Sequence, residues 1–372
     1  MSNDSWGWNE FLENDLNTKI RADEFRVGEG HAAARVVAVH RTLVELVVNG
    51  VPREGLVLGR VVPLAVGDWV IVETGVSQTS GASTAPRNDS AVVVRDLLPR
   101  RGVLSRNAAG RALDSQILAA HVDRIAIAMA CGKDFNPSRL ERFLVAARQS
   151  SNDVVLVLTK ADLAPEGPAR DELFDALAAV LPADVSCTLV SAVTGEGAAQ
   201  LHELFPARRT VVLIGASGVG KSTLVNLLRG EEVARTQSVG HVKDRGRHTT
   251  THRELHLCPG GALLLDSPGI RELQLEDASL GLAAVFEDIV ALESQCRFPD
   301  CRHQGDLGCA VAAAIETGLV SETRYGAYLK MQRESEFHRR RSDALLVRDE
   351  RRRWKQVGMD ARARSIFERK QR

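Results

Sequence analysis

The stretch GASGVGKST, Gly215 to Thr223, limits what this chain can fold into more than any other. It satisfies G-x-x-x-x-G-K-[ST], follows the apolar run VVLI, and leads into the helix-like LVNLLRG. That context demands a strand, a tight glycine loop and the start of a helix. The chemistry it serves is phosphate binding. Gly215, Ala216, Ser217, Gly218, Val219 and Gly220 can turn backbone N–H groups inward, the helix N-terminus adds positive partial charge, and Lys221 neutralises phosphate oxygens. Ser222 is the expected magnesium ligand, and Thr223 completes the motif.

A strand feeding such a loop belongs to a parallel sheet, and further apolar runs supply it. RIAIAMA (124 to 130), VVLVLT (154 to 159), CTLVSA (187 to 192), VVLIGA (211 to 216) and ALLLDS (262 to 267) alternate with helix-like pieces such as PSRLERFLVAARQ and ARDELFDALAAVL. Continuous apolar strands separated by helices predict a sheet covered on both faces. Ligands of such sheets collect at the carboxyl ends of the strands.

A phosphate loop alone does not choose between ATP and GTP; the choice comes from two earlier strand ends. In TKAD, Thr159, Lys160, Ala161 and Asp162, the Asp162 carboxylate can accept from guanine N1–H and its exocyclic amine, a pair of donors that adenine lacks. The Lys160 stem can cover the base. A site built on such buried polar groups rejects ligands that leave them unpaired. In SAVTGEG, Ser191 and Ala192 can present backbone N–H to the guanine carbonyl.

Downstream, LLLDSPG offers Asp266 to magnesium and the Gly269 N–H to a γ-phosphate. Between loop and strand, DRGRHTTTHREL is long enough for a switch loop, in which Thr249 or Thr250 can hold magnesium and γ-phosphate until hydrolysis releases it. The motif order is therefore guanine, guanine, phosphate loop, switch, switch. Ordinary GTPases run otherwise, so the chain of this domain has been cut elsewhere, which closely spaced termini permit. A circularly permuted GTPase domain is expected over 113–276. Ile270 stands where many GTPases keep a glutamine that orients water. Slow unaided hydrolysis follows. His248 is the candidate for positioning water, a surface histidine being the plain alternative.

The flanks read differently. Residues 1–33 are polar and are taken as a mobile tail. Over 34–100, ARVVAVH, TLVELVV, EGLVLGRVV, DWVIVE and SAVVVRDLL make five short strands, for which an OB-like β-barrel is the leading fold. In CRFPDCRHQGDLGC, Cys296, Cys301, His303 and Cys309 complete a tetrahedral zinc set with no open position, so the site is structural. Residues 277–345 become a helical zinc-binding domain, with Arg302 exposed between two ligands. The other cysteines are scattered, a pattern that fits a reduced compartment. Residues 346–372 form a basic helical tail. From Arg324 onward there are 16 Lys/Arg against 7 Asp/Glu, a balance of +9 in a chain whose total is zero. Arg339 to Arg341, Arg351 to Arg353 and Lys355 suit nucleic-acid phosphates. No run is long enough for a membrane helix and the start lacks a secretory pattern, so a cytoplasmic protein without a membrane partner is expected.

The ensemble resembles the bacterial GTPases that depend on the small ribosomal subunit (RsgA, also called YjeQ or EngC). RGVLSRN, ILAAHVDRIAIAMA, FNPSRLERFL, the permuted motif order, GRHTTTHREL, DSPGIRE and the C-x4-C-x-H-x5-C finger carry the likeness across roughly residues 35 to 345. The resemblance implies a multidomain α/β protein that hydrolyses GTP to GDP with Mg2+, carries one structural Zn2+, and binds the small subunit and its rRNA late in maturation, where assembly factors are released. Nothing demands more than a monomer. Thr159 departs from the usual Asn of the guanine motif, keeping a hydroxyl but losing an amide. A GTP-controlled RNA-binding scaffold on another RNA particle, with incidental hydrolysis, stays open as the alternative.

Overall fold

The computed structural model describes residues 3–21, 30–40, 43–57, 63–74, 92–108, 111–132, 135–151, 153–164, 167–230, 254–266, 278–303 and 306–340. Residues 1–105 and 117–273 group into one compact unit; 106–116 and 274–372 belong to a second.

The first unit opens with the barrel. Its strands are β1 (His31–Val39), β2 (Leu43–Val48), β3 (Val51–Val57), β4 (Trp69–Glu73) and β5 (Val92–Leu97). They pair in the order β1-β2-β3-β5-β4, and β4 returns to β1, closing the barrel. Only the β3–β5 pair is parallel. Asn49 and Gly50, both at positive φ, turn β2 into β3, a pairing suited to a two-residue hairpin. The interior is filled by every second residue: Ala34 and Val36, Val44, Leu46 and Val48, Val70 and Val72, Val92 and Val94.

The intervening residues of β4 explain why its first four positions, WVIV, are all apolar. Trp69 and Ile71 point outward and lie beneath a helix, α1 (Glu10–Arg21), whose Leu12 and Leu16 are buried with Leu98. Trp8 meets Trp69 edge-on, with ring centroids 4.8 Å apart. Residues 3–21 therefore depart from the expected mobile tail. Their apolar positions, Leu12, Leu16 and Ile20, recur every fourth residue and cover the barrel's outer face.

The second part of this unit is a six-stranded sheet built from β8 (Arg124–Ala130), β9 (Val154–Thr159), β10 (Ser186–Val190), β11 (Thr210–Ile214), β12 (Glu254–Leu257) and β13 (Leu263–Asp266). A two-stranded sheet, β6 (Leu104–Ala108) with β7 (Arg111–Ala119), precedes it in sequence. The order is β10-β9-β8-β11-β13-β12, parallel except for β12, which runs antiparallel to β13 and on its other side pairs with β1 of the barrel at Glu254 and Ala38. Helices α2 (Pro137–Arg148), α3 (Pro168–Ala178), α4 (Ala198–Leu204) and α5 (Lys221–Arg229) connect the strands. The chain winds outward from β8 to β10, then returns to lay β11 on the other side of β8. The β8–β11 boundary is thus the topological switch point, where ligands of open α/β sheets gather.

Barrel and sheet meet through buried polar groups. Arg35, 1% exposed, donates from Nη2 to Thr210 Oγ1 at 2.8 Å and stacks its guanidinium 5.3 Å from the Trp69 ring. Burial pulls its pKa down to about 10, with Asp123 and Asp68 acting in the opposite sense. Asp123 accepts from the Thr210 N–H at 2.7 Å, and Asp68 takes a two-pronged bond from Arg100 at 2.7 Å.

In the second unit α6 (Ser279–Val285), α7 (Glu287–Glu293), α8 (Ala310–Glu316) and a helical stretch at 322–340 supply the secondary structure. Phe286 and Tyr328 meet at 5.3 Å, and Arg324 grips Asp288 through two 3.1 Å bonds. Among the described residues no helix is long and apolar enough to cross a membrane.

Candidate nucleotide cleft and metal centre

The cleft starts at β11. Its last residues, all buried, deliver the chain to Gly215, whose φ of 147° only glycine adopts readily. A Cβ there would lie 2.3 Å from Ala128 O on the neighbouring strand. The loop runs to Gly220, at φ 100°, and α5 begins at Lys221 with Ser222 and Thr223 in its first turn. Lys221 Nζ donates to the carbonyls of Gly215 at 2.8 Å and Ala216 at 2.6 Å, which holds its ammonium across the mouth of the loop.

Thr159 ends β9, two strands away, and is 4% exposed. Its Oγ1 lies within hydrogen-bond reach of Met129 O, at 3.1 Å, and of Val219 O in the phosphate loop. One hydroxyl proton serves two carbonyls on two different elements. The threonine hydroxyl therefore ties the guanine motif to the loop. Lys160 follows at φ 55°, a left-handed step that starts a short 3-10 turn, Ala161–Leu163.

That turn sets Asp162 against β10. Ser191, 1% exposed, donates from Oγ to Asp162 Oδ1 at 2.5 Å and accepts from the N–H groups of Val193 and Thr194 at 3.2 Å each. The serine thus does more than lend its backbone: its side chain fixes one carboxylate oxygen and leaves the other for a ligand. This relay is not visible in the sequence, because 29 residues separate its members. Ala192 is next on the same turn, half-buried. Asp266 ends β13, the strand beside β11. His248, Thr249, Thr250, Gly269 and Ile270 lie outside the described residues.

The metal set assembles within one short loop. The ligand atoms of Cys296, Cys301, His303 and Cys309 all lie within 4.8 Å of one another. His303 Nδ1 is 3.5 Å from Cys296 Sγ and 3.4 Å from Cys309 Sγ. Bonds of about 2.3 Å to a tetrahedral zinc would hold sulfurs roughly 3.8 Å apart, so a slight contraction closes the set. Cys309 also caps α8, accepting from the Ala312 N–H at 3.3 Å. The other ring nitrogen, His303 Nε2, faces Glu293 Oε1 at 3.7 Å, and Tyr328 donates to Glu293 Oε2 at 3.2 Å. Sequence reasoning missed Glu293, which faces Nε2 and leaves Nδ1 turned toward the thiols, where it would serve a metal. Arg302 is exposed, as are Arg339 and Arg340; Arg341, Arg351 to Arg353 and Lys355 lie outside the described residues.

The remaining cysteines are of another kind. Burial pushes the thiols of Cys131 up to about 11 and Cys187 to about 12, and raises Cys258 as well. Such thiols stay protonated and unreactive. The chemistry of cysteine in this chain is concentrated in the 296–309 loop.

Comparison with known proteins agrees with this geometry. The family model described as RsgA GTPase matches residues 97–276. The small ribosomal subunit biogenesis GTPase RsgA of Opitutus terrae is 43% identical over 307 residues, covering 82% of this chain and 81% of that protein. The protein of the same name from Methanosarcina acetivorans is 36% identical over 361 residues, covering 95% and 91%. Among solved structures, YjeQ from Thermotoga maritima superposes with a TM-score of 0.58 at 22% identity, covering 82% of this chain and 98% of that one. YloQ, described as a circularly permuted GTPase, gives 0.57 at 21%, covering 84% and 98%. These two establish a shared fold.

Proposed function

The chain belongs to the RsgA family of small ribosomal subunit biogenesis GTPases, and on that premise we propose how its residues divide the work. It is a GTPase that assists late maturation of the small ribosomal subunit, and its hydrolysis rises when it is bound there. Asp162, held by Ser191, reads the guanine edge; the Lys160 stem covers the base, and Ala192 offers backbone N–H to the carbonyl. Gly215 to Gly220 cradle the phosphates, Lys221 neutralises them, and Ser222 with Asp266 would hold Mg2+, which when bound would supply charge neutralisation. Thr249 or Thr250 and Gly269 sense the γ-phosphate, and His248 orients water once RNA orders its loop. Because Ile270 cannot hydrogen-bond, the unaided rate is low.

The division of the chain into a barrel at 34–100, a permuted GTPase at 113–276, a zinc domain at 277–345 and a basic tail at 346–372 is part of the same proposal. The barrel, the zinc domain with Arg302, and the tail meet ribosomal RNA. Zn2+ is the metal of the Cys3His set, the protein works as a cytoplasmic monomer, and assembly factors leave as GTP is consumed.

The observation that carries this reading is the Thr159 hydroxyl at Val219 O, since it joins two motifs 60 residues apart in one cleft. Single-turnover hydrolysis with and without purified small subunits is the test. Acceleration is expected. An unchanged rate would favour a GTP-controlled RNA scaffold in which hydrolysis is incidental.

A further inference from the structure

At the topological switch point a crevice of about 320 Å³ opens between the ends of β8 and β11. Ala128, Met129 and Ala130 form one side and Ala216 to Val219, the outer flank of the phosphate loop, form another. Helix α2 closes it with Phe135 just before its cap, Asn136, Arg139 and Phe143. The guanine-reading pair Asp162 and Ser191 and the magnesium-side Ser222 are not part of its wall. The crevice adjoins the nucleotide cleft, sharing Lys160 and the phosphate loop with it, and adds a wall from α2 that the GTP-binding residues do not use.

The lining has an unusual composition for its size. Two phenylalanines give an apolar floor, Phe143 buried and Phe135 half-buried, while Arg139 is exposed. Lys160 adds a second cation, and among the described lining residues there is no carboxylate. Asn136 spends its carboxamide oxygen on the Arg139 N–H at 3.0 Å, which leaves its amide group as a donor pair. Aromatic faces, a planar guanidinium, an amide and unopposed positive charge are what unstacked nucleotides of RNA are held by. The volume is at the small end of the roughly 300–1,000 Å³ range for small-ligand sites, enough for a single base with its phosphate and too little for duplex.

We propose that this crevice is a socket for one unpaired nucleotide of the small subunit's RNA, with the base against Phe135 and its phosphate near Arg139. Such a nucleotide presses on Ser217 and Gly218 from behind. Docking on the subunit then steadies the loop that holds the GTP phosphates, and RNA binding is coupled to turnover without passing through the switch segments.

The proposal rests on the small-subunit reading above, and its test separates the two. Arg139→Glu and Phe135→Ala, both outside the GTP machinery, are compared with the intact full-length protein and with Phe135→Trp, which keeps an aromatic face. GTP affinity, the basal rate and the subunit-stimulated rate are measured for each, and benzoylphenylalanine at position 139 is photolysed on the subunit. Removing one stacked base or one phosphate partner should weaken subunit-dependent stimulation about tenfold in Arg139→Glu and Phe135→Ala. GTP affinity and the basal rate should stay within twofold, Phe135→Trp should remain stimulated, and the crosslink should fall on rRNA. Full stimulation of both disruptive variants, or a crosslink on a ribosomal protein, overturns the socket alone. A wild-type protein that neither binds nor responds to the subunit overturns the underlying reading and the socket with it.

Discussion

The nucleotide cleft and the metal loop are built on opposite plans. The cleft gathers Thr159, Asp162, Ser191 and Gly215 to Thr223 from three strand ends, and it exists only because the sheet order brings β9, β10 and β11 close together around β8. The metal loop takes all four ligands from Cys296 to Cys309, and little more than α7 and the start of α8 frames it. A sheet that folds on its own core lends its geometry to the nucleotide. A short helical unit with a loop of cysteines would draw its order from a bound ion. Binding in the first case reports on a pre-formed surface; in the second, binding and folding are the same event.

The largest effect expected from this contrast is on metal removal. Chelation, or Cys309→Ala, should melt the helical signal of residues 278–340, since structural zinc contributes about 10 kcal/mol or more to folding of such units. GTP affinity should change less than twofold. A cooperative transition indifferent to chelator would erase the difference between the two plans.

Acid should attack the other half. Burial, then Arg35, Arg101 and Arg100, hold His121 neutral, with its pKa lowered from 6.5 to about 3. The unfolded chain takes up a proton near pH 6.5 while the folded one does not, so stability present above 6.5 is lost as pH falls toward 3. The loss is on the order of 4 kcal/mol at the end of that window. Denaturant midpoints of the barrel–GTPase unit, followed from pH 7.5 to 4, should fall in the wild type and fall less in His121→Asn, which tolerates the positive φ of 55°.

Within the cleft, Asp162→Asn should cost GTP roughly a hundredfold in affinity, since a charged hydrogen-bond acceptor becomes a donor facing donors. The same variant should gain for xanthosine triphosphate, whose ring carries a carbonyl where guanine has an amine. Equal GTP affinity in wild type and variant would remove Asp162 from the base site. The smallest effect belongs to Thr159→Val, which removes the hydroxyl from Met129 O and Val219 O at a cost of about 1 kcal/mol. Thr159→Asn should recover most of it, measured as the midpoint of unfolding with GDP bound.

Legibility in the sequence followed the same division. The metal loop, the phosphate loop and the alternating barrel strands are local patterns, so spacing alone identifies them. Permutation could be read because motif order survives in the chain even when strand order does not. What escaped were long-range partners. Leu12, Leu16 and Ile20 carry a helical stripe, but its worth depends on Trp69 and Ile71 facing outward from β4. Ser191 becomes an orienting residue only when β10 lies beside β9, and Glu293 matters only because His303 turns its Nε2 toward α7. Arg35 reads as an ordinary strand arginine, yet it is buried against Thr210 on the strand that feeds the phosphate loop.

Equilibrium displacement of labelled GTP tests the joined cleft most directly. Unlabelled GTP and GDP should compete fully, while excess ATP leaves the label in place. Displacement by ATP at concentrations close to those of GTP would contradict the account, because a phosphate loop without Asp162 at the base has no means of telling the two apart.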